Sequence, residues 1–418
     1  MTGIPQRRGP RPLPLHLGMA ALRGLAALAM PPSVIASPSS SAAWPRSSAG
    51  RQEAARVARA LADGGHRPEA FQAALLRALL RRDRALVAGI AAYRRHPFRR
   101  PPGAAGRPPL WQEGAARLLD YGGAADGVPA LVVPSLVNRA HVLDLLPEAS
   151  MLRWLAANGG VRPMLLDWGW PGTVERSFTL TDIVAGRLER GLDAAVAAAG
   201  APVVLVGYCM GGLLALAAAL RRPDRVRALA LLATPWDFWA GGEAEAARAR
   251  ALAGFLPGLE PAMEATGALP VDAIQALFTG LDPFGIADKY RVFARLDPEG
   301  DRARRFVALE DWLNDGIPLP AAIARECLGG WYGANTPARG EWRIAGLHVE
   351  PARWTGPAFL AIPARDRIVP PATAEALATH LPQAVLHRPA AGHVGMVAGT
   401  GAERALWRSL AAWMCGHG

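Results

Sequence analysis

Three residues of this 418-residue chain have the types and the settings needed for nucleophilic acyl transfer: Cys209, Asp366 and His393. Cys209 lies in Gly207-Tyr208-Cys209-Met210-Gly211-Gly212, between the apolar run 203–206 and the helix-forming stretch 213–221. A strand that passes through Gly-x-Cys-x-Gly into a helix holds its nucleophile on a sharp, strained turn, because the glycines admit a backbone that side chains would block. The thiol then sits at a helix N-terminus, where the dipole favours the thiolate, and the amide of Met210 points toward the acyl oxygen as one oxyanion donor. A base and an acid that orients it complete such a site. His393 stands in the glycine-flanked loop Gly392-His393-Val394-Gly395, and Asp366 follows the apolar run 359–362. Asp237, just past the run ending at Ala233, is the competing acid, with Asp366 favoured.

The elements that must position these residues are legible as short β-type runs at 130–133, 164–166, 203–206, 228–232, 359–362 and 384–386, separated by alanine-rich helical stretches such as 183–199 and 213–221. Apolar strands alternating with helices predict an α/β protein with a doubly wound, mostly parallel sheet. The strand–turn–helix elbow, with the chain order nucleophile, acid, histidine, gives that sheet the α/β-hydrolase fold with cysteine in place of serine. The interval from 235 to about 356 breaks the rhythm, is too long for one crossover, and reads as an inserted cap. Before it, 1–50 reads as a flexible segment with a Pro/Ser-rich linker over 31–50. Residues 51–107 form an arginine-rich region of two or three amphipathic helices closed by a Pro/Gly/Arg hinge at 97–109. The catalytic domain is 108–418.

The charge is uneven. The net charge is +11, yet residues 1–107 hold 18 arginines against four acids, Glu53, Asp63, Glu69 and Asp83, while the other 28 basic residues face 31 acidic ones. Lys289 is the only lysine, so the arginine bias reads first as coding-sequence composition and a solvated helical face, with no nucleic-acid partner expected. Hydrophobic residues make up 51%, ample for a core, which excludes a disordered polymer. Three cysteines, Cys209, Cys327 and Cys415, exclude a disulfide scaffold. The apolar stretch 13–36 is broken by Pro14, His16 and Arg23, so neither an export signal nor a membrane span is expected, and the location is read as cytoplasmic. His16, His66, His96 and His141 lack ligand spacing, no phosphate-cradling fingerprint appears, and no metal or cofactor is expected.

Six motifs, in order over roughly 110–418, make the chain resemble the polyhydroxyalkanoate synthases. Gly-x-Cys-x-Gly-Gly at 207–212 is similar to that family's lipase-like box. Pro134-Ser135-Leu136-Val137-Asn138-Arg139 through Leu143-Asp144-Leu145 and Pro147, Asp167-Trp168-Gly169-Trp170-Pro171, and Thr234-Pro235-Trp236-Asp237-Phe238 match further segments. Asp366 with Ile368-Val369-Pro370-Pro371, and Gly392-His393-Val394-Gly395, match its acid and histidine motifs. The closest likeness is to the short, two-subunit class, although Ala140-His141 stands where an aromatic is common.

The resemblance implies that Cys209 accepts the acyl group, His393 is the base and Asp366 its partner, with the second oxyanion amide in the Leu136, Val137 region. It implies (R)-3-hydroxyacyl-CoA as substrate and a growing polyester as product. The partners it implies are a second synthase subunit or a homodimer, and a polyester granule surface. Cap aromatics, among them Trp236, Phe238, Trp239, Phe255, Phe278, Phe284, Trp312 and Trp331, are candidates for keeping the site dry or for plain packing. The same triad would also serve an intracellular depolymerase, esterase or thioesterase; a non-catalytic granule protein is the third reading.

Overall fold

Eight strands form one sheet in the computed structural model, which describes residues 7–29, 47–101, 103–106, 108–280, 283 and 285–417. They are β1 (Trp111–Glu113), β2 (Ala116–Asp120), β3 (Val128–Val133), β4 (Val161–Asp167), β5 (Val203–Tyr208), β6 (Val226–Leu232), β7 (Ala358–Ala361) and β8 (Val385–His387). The spatial order is β1-β2-β4-β3-β5-β6-β7-β8. β1 pairs with β2, and β2 with β4, antiparallel; every other pairing is parallel. This is the mostly parallel, helix-covered sheet of the α/β-hydrolase fold.

Successive strand side chains point to opposite faces, so a sheet covered on both sides needs apolar residues at every position. Leu131, Val133, Leu205, Leu229, Leu231 and Leu360 pack on one face, against the helices that carry Leu188, Leu192 and Leu214. Their neighbours Ala130, Val132, Val204, Val206, Ala228 and Phe359 pack on the other, with Leu152, Leu155, Leu406 and Met414. That double burial is why the runs read as unbroken hydrophobic stretches. β1 and β2 escaped the sequence reading because they lie at the sheet edge and are short and partly polar: Arg117 of β2 pairs with Asp167 at 2.9 Å.

The helix Met210–Arg221 starts directly after β5, and its first ten residues are all buried. Between β6 and β7 the chain forms mainly helices, among them Glu243–Ala253, Leu256–Thr266, Val271–Thr279 and Asp301–Asn314, with two small two-stranded pairings. The described residues fall into two compact units. One holds the sheet, with Phe98–Leu281 and Ala308–Gly418; the other holds Met1–Pro97 with Asp282–Val307. The interval 235–356 therefore contributes to both.

The second unit is helical. Leu13–Ala29, inside the stretch read as flexible, is a helix because twelve of its seventeen residues are Leu, Ala or Met, strong helix formers, and its Pro14 lies in the first turn, where proline is tolerated. Residues 30–46, with most of the supposed linker, lie outside the described residues. Ser48–Asp63 and Pro68–Arg95 are the helices expected from 51–96. Gly89 of the latter lies against Gly285–Phe293 so closely that a Cβ would stand 2.0 Å from the Tyr290 carbonyl oxygen. The Tyr93, Tyr290, Phe293 and Phe306 rings pack beside it.

Candidate active site

The elbow is built from three close approaches. A Cβ on Gly207 would lie 2.4 Å from Gly212 Cα, one on Gly211 would lie 2.2 Å from the Val133 carbonyl oxygen, and one on Gly212 would lie 1.8 Å from Thr234 Oγ1. These glycines let the start of the helix settle against the ends of β3 and β6. Cys209 then takes φ 56° and ψ −129°, a region L-residues rarely adopt. Its amide donates to the Leu232 carbonyl at 2.8 Å, and its carbonyl accepts from Gly212 at 2.9 Å. The thiol is half-buried at the N-terminus of a helix whose first amides have no intrahelical acceptor.

Facing it from the C-terminal ends of the late strands is a buried imidazole–carboxylate pair. His393 Nδ1 and Asp366 Oδ2 are 2.7 Å apart, and both residues are buried. Asp366 follows β7, and its other oxygen accepts from the amides of Ile368 at 2.8 Å and Val369 at 2.9 Å. The apolar pair after Asp366 thus contributes backbone donors that fix the carboxylate. Burial pulls the His393 pKa down. The Cys209 charge, the bonds to Asp366 and Cys209, and the Asp366 charge together outweigh it and push the pKa up to about 10.

Tyr208, the residue before the cysteine, has no assigned role in the sequence reading. Its hydroxyl donates to the His393 carbonyl at 3.3 Å and its ring lies 5.1 Å from the imidazole. Burial, then the Cys209 and Asp366 charges, hold its phenol well above the usual pKa. A tyrosine inside an elbow carries no separate sequence signal, since it reads as one more strand residue.

Asp237 is engaged elsewhere. Its Oδ1 accepts from Asn335 Nδ2 and from the Trp239 amide, both at 2.8 Å, while Asn335 Oδ1 accepts from the Phe238 amide at 3.0 Å. Asn335 is buried with φ 53°. The carboxylate ties the chain after β6 to that left-handed turn.

The loop after β3 brings Leu136 and Val137 next to the elbow, because Gly211 touches the carbonyls of Val133 and Pro134. Three contacts fix this loop. Trp168 Nε1 donates to Pro134 O at 3.0 Å, Ile317 N donates to Val137 O at 3.2 Å, and Val137 N donates to Ser135 Oγ at 3.3 Å. Asp167-Trp168-Gly169 is therefore a support for the loop, with Gly169 at φ 70° close against the Ala115 carbonyl. Leu136 also lines a small cleft with Trp168, Phe178 and Ile323, to which Cys209 does not contribute.

Among the cap aromatics, Trp236, Phe238, Trp312 and Trp331 are buried, and Trp239 and Phe278 are half-buried. Phe255 is 58% exposed, and Phe284 lies outside the described residues. Phe238 packs edge-on to Tyr332 with centroids 4.8 Å apart, and the Cys209 charge contributes, after burial, to raising the Tyr332 phenol's pKa. Tyr332 is thus a cap residue near the sulfur that the sequence reading passed over. Cys327 is buried, with burial foremost pushing its thiol up, and Cys415 is exposed. No group of three or more metal-ligating side chains occurs among the described residues.

The alpha/beta hydrolase fold family model matches residues 193–264, the stretch that contains the elbow. The chain is 28% identical over 294 residues to a poly(3-hydroxyalkanoate) polymerase subunit PhaC from Allochromatium vinosum, covering 69% of this chain and 81% of that one. It is also 28% identical to the PhaC subunit of Haloferax mediterranei, covering 73% of this chain and 62% of that one. The chain is an α/β-hydrolase-fold relative of the polyhydroxyalkanoate polymerases. Among solved structures it is similar to an alpha/beta hydrolase fold protein from Nakamurella multipartita, at 17% identity and a TM-score of 0.44, covering 72% of this chain and 96% of that one. No helix among the described residues is long and apolar enough to cross a membrane.

Proposed function

We propose that this PhaC relative is an acyltransferase that polymerises (R)-3-hydroxyacyl units from coenzyme A thioesters through an acyl-enzyme on Cys209. The observation that carries the reading is the buried Asp366–His393 pair beside the strained cysteine, within a chain related to PhaC polymerases.

His393 takes the thiol proton, and the thiolate attacks the thioester carbonyl. The oxyanion forms against the Met210 amide and an amide of the Leu136–Val137 segment, each donor worth about 3 kcal/mol. Collapse breaks the carbon–sulfur bond to coenzyme A, whose thiolate takes the proton from the imidazolium. One thioester replaces another, so the acyl group stays activated. His393 then removes a proton from an incoming 3-hydroxyl, whose oxygen attacks the acyl-enzyme to form an ester and release the Cys209 thiolate. Asp366 keeps the ring in the tautomer with Nδ1 protonated.

No cofactor takes part; coenzyme A enters with the substrate. The description of the relatives as subunits supports a second synthase subunit as a partner, and we place the enzyme in the cytoplasm at polyester granules. The test is incubation with (R)-3-hydroxybutyryl-CoA. Free coenzyme A with polymer is the expected result, and free acid with no polymer would make the protein a thioesterase.

A further inference from the structure

Tyr208 is the last residue of β5 and carries the one polar side chain of that strand, whose other residues are Val203, Val204, Leu205, Val206 and Gly207. It is buried in the same core as Val206, Leu232 and Met396. Packing alone asks for an apolar ring at such a position, and a buried hydroxyl needs a partner.

That partner is the backbone of the base. The histidine loop is tied one carbonyl at a time: Ala390 accepts from the Arg365 guanidinium, Ala391 from the Arg365 amide at 3.0 Å, and Gly392 from the Met396 amide at 3.1 Å. The next turn passes over His393, because the Val397 and Ala398 amides both go to the Val394 carbonyl, at 3.2 and 2.9 Å. Among the described residues the His393 carbonyl therefore has one donor, the Tyr208 hydroxyl at 3.3 Å. The Tyr208 ring lies beside the imidazole as well, with centroids 5.1 Å apart and planes tilted by 36°.

Asp366 orients the imidazole through Nδ1, whereas the carbonyl bond fixes the backbone from which the ring hangs. Tyr208 is also joined covalently to Cys209, whose own amide is bonded to Leu232 at 2.8 Å. Sulfur and base are thus both referenced to the end of β5. We propose that the Tyr208 hydroxyl is a positioning group that holds His393 at its working distance from the Cys209 sulfur. The hydroxyl acts through His393 and touches no substrate, and its assignment rests on the acyl-transfer reading of Cys209 and His393.

The test is Tyr208→Phe, which deletes one oxygen atom and keeps the ring. Two rates are read: coenzyme A release from (R)-3-hydroxybutyryl-CoA, and alkylation of Cys209 by iodoacetamide at pH 7. The alkylation is done in the Cys327→Ala/Cys415→Ser background, so that one thiol reacts, and well below the melting temperature, so that destabilisation does not enter. A displacement of about 1 Å can cost about a hundredfold in rate; for a loop that keeps its other bonds, kcat and the alkylation rate should each fall about tenfold, with KM within about twofold. Tyr121→Phe is the control. It removes a hydroxyl that donates to Asp144 Oδ2 at 3.1 Å, and should lower the melting temperature while leaving both rates at the parent's. A Tyr208→Phe protein that melts lower but keeps both rates overturns the proposal and makes the hydroxyl a core hydrogen bond only; so does a rise in KM with kcat and alkylation unchanged. The two readings fail separately. Slower alkylation of Tyr208→Phe with no coenzyme A release by the parent supports the positioning and removes acyl transfer, whereas coenzyme A release unaltered by the substitution keeps acyl transfer and removes Tyr208 from it.

Discussion

His393 Nδ1 lies 2.7 Å from Asp366 Oδ2, whereas the competing carboxylate, Asp237, is held by Asn335 and the Trp239 amide. The two acids therefore differ in what their loss should do. Asp366→Asn keeps the shape but offers the ring an amide, and an equivalent change in a serine triad costs about 10⁴ in kcat. Coenzyme A release by Asp366→Asn should fall by about that factor with the melting temperature little changed. Asp237→Asn should lower the melting temperature and leave kcat within about tenfold. The reverse ranking in steady-state assays would move the acid to Asp237.

Cys209 alone of the three cysteines joins a strained elbow to a buried imidazole. Cys209→Ala should abolish coenzyme A release, by at least about 10⁴-fold, while its circular dichroism spectrum stays that of the parent. Cys327→Ala and Cys415→Ser should turn over at near-parent rates, with Cys327→Ala slightly less stable for the small cavity it leaves. A folded Cys209→Ala protein that still releases coenzyme A would remove the sulfur from the reaction.

Gly211 and Gly212 are fixed by contact with neighbouring atoms. The methyl of Gly211→Ala would meet the Val133 and Pro134 carbonyl oxygens at 2.2 and 2.6 Å, and backbone atoms in a sheet cannot withdraw cheaply. Gly211→Ala should cost about 3 kcal/mol or more, read as a large drop in urea midpoint or as insoluble protein. Gly186→Ala is the control, because only the end of the Arg190 side chain lies near, at 3.7 Å. It should be neutral or slightly stabilising. Equal midpoints for the two variants would mean the elbow is looser than these contacts imply.

Much of this architecture is legible in the sequence because a doubly covered parallel sheet imposes unbroken apolar runs, and because glycine at 207, 211 and 212 has a purely steric cause. What escaped depends on long-range pairing. Ile317 clamping Val137, Trp168 holding Pro134 and Asn335 bonding Asp237 join residues 34 to 180 positions apart, and no local pattern announces them. β1 and β2 were missed for a related reason: β1 is a partly polar edge strand of three residues, and β2 beside it sets Arg117 and Asp120 around its apolar residues, so neither shows the unbroken run of a central strand. The Leu13–Ala29 helix was hidden by Pro14, which suggested a break where the first turn in fact accommodates it.

His141 is the position where the family resemblance leads one to look for an aromatic residue, and its surroundings let a histidine stand there only as a neutral ring. Burial foremost, then the Arg100 and Arg139 charges, push its pKa down to about 3 from an ordinary value near 6.5. The sign follows directly. Below about pH 6.5 the unfolded chain binds a proton that the folded ring refuses, so folding stability falls as the pH drops from 6.5 toward 3. The slope reaches about 1.4 kcal/mol per pH unit for one such group, or roughly 2 kcal/mol between pH 6.5 and 5. His141→Phe removes that proton without removing the ring's packing, while the carboxylates titrate alike in both proteins. Urea unfolding at pH 7 and pH 5 should therefore show the variant losing about 2 kcal/mol less than the parent over that interval. Identical losses would mean that His141 takes up its proton in the folded state at an ordinary pH, and that the arginines at 100 and 139 do not bear on it.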